Sequence, residues 1–252
     1  MANYENQPRY GASVARGAEG VIDEGLRAHM IRVYNYMTIG LVLTGLTAFG
    51  TYALSFREVG GQLVPTALGQ ALFGTPLMWV IIFAPLALVF LLSFRIGRMS
   101  VAAAQTTFWI YAALMGVSLS FIFLAYAASS ITQVFFITAA TFGAMSLWGY
   151  TTSRDLTGWG SFLFMGLIGI IIASLVGFFW QSTALQFAIS VIGVLVFTGL
   201  TAYDTQKIKE MYYVADDGTV AGRKAIMGAL SLYLDFINLF LMLLRLFGNS
   251  RN

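Results

Sequence analysis

Two aspartates are out of place in this chain. Of its eleven acidic residues, nine sit in the polar N-terminal stretch or in polar links, but Asp204 and Asp235 fall inside long apolar runs. A carboxylate at the centre of a membrane-spanning helix costs about 2.5–3.5 kcal/mol on insertion scales, so such a residue needs a cavity or a partner. Thr198, Thr201, Asp204 and Thr205 recur at the spacing of one helix face, and so do Ser231, Asp235, Asn238 and Met242. Asp204 closes one apolar run and Asp235 lies about nine residues into the next, or roughly 13 Å at 1.5 Å per residue. If those runs are antiparallel helices, the two polar faces meet just inside one membrane boundary. Two carboxylates held together cannot both ionise cheaply, so they share a proton and form a pH-sensitive pair. Hard cations take oxygen ligands, about six to eight for calcium. Asp204 and Asp235 with Thr201, Ser231 and Asn238 would offer calcium a weak, transient site, and conduction requires weak binding. The plainer alternative is a protonated aspartate that hydrogen-bonds two helices together.

Few other residues can do chemistry. There is no cysteine, which excludes disulfides and thiolate sites, and a single histidine, His29, which excludes a multi-histidine metal centre. No cofactor is expected, and calcium enters only as a transported ion. The net charge of +3 is scattered over short links and does not form a nucleic-acid-binding patch. Arg95 and Arg98 flank a tight turn. Arg95 reads as an anchor at the membrane face, whereas Arg98 can reach inward and pair with a carboxylate. Gly166, Gly169 and Gly177 read as positions of close helix packing.

The elements that must position these residues are membrane spans. Only 10% of residues are charged, against about 25% in soluble domains, too few to cover a water-facing surface. Apolar runs of span length occupy residues 31–54, 77–95, 101–127, 131–151, 159–180, 184–206 and 226–247. The expected fold is therefore all-α, a polytopic bundle of seven transmembrane helices. The last run carries Asp235, Asn238 and Arg245 and belongs inside the bundle, surrounded by the other six. Residues 1–28 read as a polar mobile tail, 29–248 as the transmembrane domain and 249–252 as a short C-terminal tail. With a cytoplasmic N-terminus, eleven basic residues fall on the inner side and three (Arg57, Arg245, Arg251) on the outer, which fixes that orientation. The C-terminus faces out if the seventh run crosses fully and in if it is re-entrant; Arg245 and Arg251 favour the second. The link 55–76 reads as a short amphipathic piece on the outer surface, and 207–225 as a solvated inner loop.

The segment Ser231-Leu-Tyr-Leu-Asp235-Phe-Ile-Asn-Leu-Phe240, with Leu243-Leu-Arg245 after it, resembles the C-terminal signature of the Bax inhibitor-1 (transmembrane Bax-inhibitor-motif) family. Ala202-Tyr-Asp204-Thr-Gln206-Lys-Ile resembles its other signature, and Phe94-Arg-Ile-Gly-Arg98, Gln105 and Gly116-Val-Ser118-Leu fit the same pattern. The resemblance extends over about residues 27–248. It implies a central last helix wrapped by six others and a pH-sensitive calcium leak across the membrane. It assigns pH sensing to the aspartate pair, matched here by Asp204 and Asp235, and the latch on that pair to Arg98. Gly248-Asn-Ser-Arg-Asn252 lacks the charged tail of the eukaryotic branch, and the chain is more similar to bacterial members. A multi-pass protein of the bacterial inner membrane is expected, with a membrane-bound protease as a partner.

Two rivals use the same residues. A non-transporting regulator would bind partner membrane proteins and carry no flux. An intramembrane aspartyl protease also pairs two aspartates, one in a Tyr-Asp step like Tyr203-Asp204. It needs Gly-x-Gly-Asp at the other, and here Leu232-Tyr233-Leu234 precedes Asp235. The expected protein is therefore not an enzyme.

Overall fold

The structure is a computed structural model that describes residues 10–180, 182–249 and 251, with side chains described from residue 24 onward. Helix α1 (Tyr10–Ser55) is followed by a hairpin of β1 (Phe56–Val59) and β2 (Gln62–Pro65) and a short helix α2 (Ala67–Phe73). Then come α3 (Leu77–Arg95), a 3-10 turn (Ile96–Arg98), α4 (Val101–Leu119), the short α5 (Ile122–Ala125), α6 (Ala128–Thr151), α7 (Thr157–Phe179), α8 (Thr183–Glu210) and α9 (Gly218–Phe247). Among the described residues, seven helical stretches are long and apolar enough to cross a membrane, in α1, α3, α4–α5, α6, α7, α8 and α9.

Helix α9 is the axis of the bundle. In its most apolar stretch 72% of residues are buried, against 11% in α7 and 17% in α3. It packs against α1, α4, α6 and α8, while α3 packs mainly on α4 and α7 mainly on α8. The order of apolar runs is as expected, but some boundaries move, each for a local reason. Helix α9 starts eight residues before the expected 226, because the Asp217 carboxylate accepts the N–H groups of Thr219 and Val220, both at 2.8 Å, and caps the helix. The inner loop therefore shrinks to 211–217. The outer link is not simply an amphipathic piece. Its first half is an antiparallel hairpin turned by Gly60 and Gly61, with φ of 61° and 79°, values that glycine adopts without strain. The first helix already runs from Tyr10, so the expected tail boundary at residue 28 is not a helix start; residues 1–9 of that tail lie outside the described residues.

The last helix crosses the whole bundle and is not re-entrant. Ala127 N–H donates to the Asn249 carbonyl (3.1 Å), Arg251 N–H donates to the Ala125 carbonyl (3.0 Å), and the Arg251 guanidinium donates to the Tyr52 hydroxyl (2.7 Å). Those partners belong to the end of α1 and the link into α6, so the two termini of the bundle are at opposite ends. Arg27, Arg154, Lys207, Lys209 and Arg223 gather at the end where α1 enters, called the basic end below.

Gln206 organises that end. Its Oε1 accepts Leu156 N–H and its Nε2 donates to the Arg154 carbonyl, both at 2.8 Å, so one buried side chain holds the whole α6–α7 link. Gln206→Leu removes both partners from backbone groups near the bundle surface. The expected loss is about 2 kcal/mol, read as a lower melting temperature together with faster proteolytic nicking within 152–156; unchanged nicking would refute the clamp.

Candidate functional site

Asp204 sits two turns from the basic end of α8, and Asp235 lies just past the middle of α9. Because α8 and α9 are antiparallel neighbours packed along their length, the two side chains face each other and come within hydrogen-bonding reach. Asp235 is only 5% exposed. Its Oδ2 atom receives no N–H or O–H from any described group. A contact between two carboxyl groups with no other donor is attractive only when a proton or a cation lies between them. Asp204 is half-buried and connects the pair to open space.

Two cavities meet at this pair. One, of about 450 Å³ between α7, α8 and α9, is lined by Asp204, Asp235, Ser231, Asn238, Tyr203 and Lys207 among others. The other, of about 270 Å³, continues toward the basic end and shares Asp204, Lys207 and Ser231 with the first. Asp204 thus stands at a junction reached from the basic end, with Asp235 beside it in the first cavity. Ser231 and Asn238 line the first cavity as the spacing predicts, although the Asn238 amide also donates to the Leu234 carbonyl of its own helix (2.8 Å).

The threonines of α8 do not join them. Thr201 is fully buried and donates to the Phe197 carbonyl (2.8 Å), and it lines neither cavity. Thr205 hydrogen-bonds Ser146 of α6 (2.9 Å), and Ser146 in turn bonds the Tyr34 hydroxyl of α1. Positions 201 and 205 share one face of α8, turned toward α6, while 197, 200, 204 and 207 share the face turned toward the cavity. The single polar face expected of α8 is therefore two faces, split by about 100° per residue.

Arg98 does not latch the pair here. It ends the 3-10 turn, is exposed, lines neither cavity and makes no ion pair among the described residues; Arg95 is exposed as well. The turn that carries Arg98 is held by Arg223 of α9, which donates to the carbonyls of Met99 (2.7 Å) and Gly97 (2.9 Å). In the sequence Arg223 is one of the eleven inner basic residues, with nothing local to set it apart. The cation beside the carboxylates is instead Lys207, one turn after Asp204, with its ammonium 5.8 Å from the centre of the Tyr203 ring. Lys224 is engaged elsewhere, in an ion pair of 2.5 Å with Asp216.

No cluster of three or more acidic, histidine or cysteine side chains is found among the described residues. Any cation held here would rest on two carboxylates, neutral oxygens and water, a set that suits a hard ion bound loosely.

The comparisons with known proteins agree along nearly the whole chain. The family described as "Inhibitor of apoptosis-promoting Bax1" matches residues 26–252. The Rickettsia prowazekii protein RP147 is 51% identical over 230 residues, covering 91% of this chain and 93% of the relative. The Escherichia coli inner membrane protein YbhL is 50% identical over 230 residues, covering 90% and 94%. The Streptococcus pyogenes membrane protein SpyM3_0260 is 41% identical over 232 residues, covering 90% and 95%.

Proposed function

The chain belongs to the Bax inhibitor-1 family, and we propose that it acts there as a pH-sensitive leak for calcium or a similar cation, gated at Asp204 and Asp235. The observation that carries this reading is the meeting of two carboxylates at a cavity junction, one of them with a buried oxygen that lacks any donor. A proton or a cation satisfies that oxygen equally, so the two compete for one place. At a pH where the pair keeps its proton, α8 and α9 are tied together and the ion has no site. Loss of that proton gives two like charges that hold a divalent cation transiently or push the helices apart. A difference of about 1–3 kcal/mol between the two arrangements is enough to move such an equilibrium. Ser231 and Asn238 supply neutral oxygens along the path. Arg98 would serve as a latch only in an arrangement in which Arg223 releases its turn. The name of the Escherichia coli relative supports a place in the bacterial inner membrane, and the excess of basic residues at the end where α1 enters supports a cytoplasmic N-terminus.

The test is calcium flux into proteoliposomes carrying the purified protein, followed across pH beside Asp204→Asn and Asp235→Asn. The expected result is wild-type flux that varies with pH and a response that flattens in both variants, since an amide does not titrate in this range and carries no charge to hold a divalent cation. Absence of flux at every pH, with the protein folded and oriented, would favour the rival reading: a regulator that binds other membrane proteins, a membrane protease among them.

A further inference from the structure

Helices α1 and α6 both pack on α9 but not closely on each other. The space between them forms two cavities, of about 740 Å³ and about 510 Å³, which share Thr38, Leu41, Phe135 and Phe236 and so make one long groove. Phe236 of α9 forms its floor, with Ile237 and Phe240 continuing it in the second cavity. The walls are apolar almost throughout. The first cavity runs along α1 from Arg27 to Leu41, about 21 Å at 1.5 Å per residue. That carries it from the membrane face at the basic end to the middle of the span, a little more than half the hydrocarbon thickness of about 30 Å.

Charge is confined to one end of this groove. Arg27 of α1 stands at the mouth, exposed and in no ion pair among the described residues. On the opposite wall, Tyr150 of α6 carries the Lys209 ammonium, which lies 5.3 Å from its ring centre and donates to its carbonyl (3.0 Å). The second cavity is lined by no charged residue. A groove that is apolar along its length and positively charged on both walls at one membrane face matches an anionic amphiphile lying parallel to the bilayer normal. We propose that it binds an anionic phospholipid from the leaflet at the basic end, with an acyl chain between α1 and α6 and the phosphate between Arg27 and Lys209. A partner helix fits less well. A helix is about 10–12 Å across, and the Tyr34–Ser146 hydrogen bond ties the two walls together within the first cavity. An extended chain passes over that tie, whereas a helix would have to break it.

Gly143 gives a means of filling the groove, because it lines the first cavity and a Cβ placed on it meets nothing within 4 Å. The experiment takes the delipidated full chain in detergent and titrates it with phosphatidylglycerol or phosphatidylcholine of identical acyl chains, reading bound lipid by native mass spectrometry. Wild type is expected to retain phosphatidylglycerol preferentially. Each cation near a membrane surface contributes roughly fivefold, so Arg27→Gln with Lys209→Gln should remove most of that preference and leave the two lipids alike. Gly143→Leu should weaken both lipids, since it occupies the place of the chain. Glycerol phosphate, which carries the charge without the chain, should fail to compete. Equal retention of both lipids by wild type would show annular lipid only and overturn the proposal, as would unchanged binding in Gly143→Leu. If Gly143→Leu does not fold, Ala139→Leu on the same wall is read with the same two outcomes. Dimers that Gly143→Leu abolishes would assign the groove to a second copy and would equally overturn it.

Discussion

Gly149→Val is expected to lower the apparent melting temperature by about 6–12 °C. A Cβ at Gly149 of α6 would lie 2.3 Å from the Ala202 carbonyl oxygen of α8, and 2.8 and 2.9 Å from its Cα and carbonyl carbon. All three are backbone atoms, so no rotamer change relieves the clash and one helix has to move. Overpacking of this kind costs about 3 kcal/mol, the upper part of the usual range, and each kcal/mol shifts the melting temperature of a protein of this size by about 2–4 °C. Ala202 is two residues from Asp204, so displacement of α8 also disturbs the carboxylate pair. Gly143→Ala is the matched control on the same helix. It fills open space and removes a helix-interior glycine, so stability is expected to hold or rise by up to about 1 kcal/mol. Melting curves of both variants in one detergent decide the matter. A similar loss in both would refute the contact and point to a general intolerance of α6.

Lys207→Glu is expected to raise calcium flux about fivefold at roughly 0.1 M salt. This rests on the cation-leak reading and on the position of Lys207, exposed at the place where both cavities meet Asp204. Two unit charges about 8 Å apart in water interact by about 0.5 kcal/mol. The substitution changes the fixed charge by two units and acts on a doubly charged ion, for about 2 kcal/mol in all, of which salt screening leaves about half. That remainder corresponds to the fivefold change. Lys207→Gln should give a smaller rise, and the advantage of the glutamate should shrink as ionic strength increases. Flux that falls in Lys207→Glu, or that rises without any dependence on salt, would remove Lys207 from the electrostatics of the path.

The spans, their order and the central place of α9 were legible because a bilayer demands long apolar runs and expels charge to a shielded position. Asp204 and Asp235 were legible for the same reason. What stayed hidden depends on rotation about helix axes and on backbone contacts. The threonines at 198, 201 and 205 have the spacing of one stripe with Asp204, yet Thr205 turns to Ser146, and only the packing of α6 reveals it. Gly166 is a packing position as expected, with a Cβ there 2.8 Å from the Val196 side chain, but Gly169 faces open space, and Gly149, not among those expected positions, is where α6 meets the α8 backbone. Arg98 reads as the cation for the pair from its place at the turn and its match to the family's latch arginine. Nothing local in the sequence says that Arg223, more than 100 residues later, holds that turn by two carbonyls. The Gly60-Gly61 hairpin did carry a readable signal, two adjacent glycines between short β-prone segments.

The central position of α9 has a consequence for how the protein is made. It is the last of the seven spans in the chain, and it fills the middle of the other six. Those six therefore enter the bilayer before the helix that completes them exists. Its 30 residues take about 2–6 s to synthesise at 5–20 residues per second, and until then Thr44 lacks its Tyr233 partner and Asp204 lacks Asp235 across the cavity. A ribosome that stalls in this stretch leaves six inserted helices around a missing axis, a species that membrane quality control can recognise by its unpaired polar side chains. Assembly is thus committed by the same segment that carries Asp235, and a chain too short to carry a working site is also too short to close.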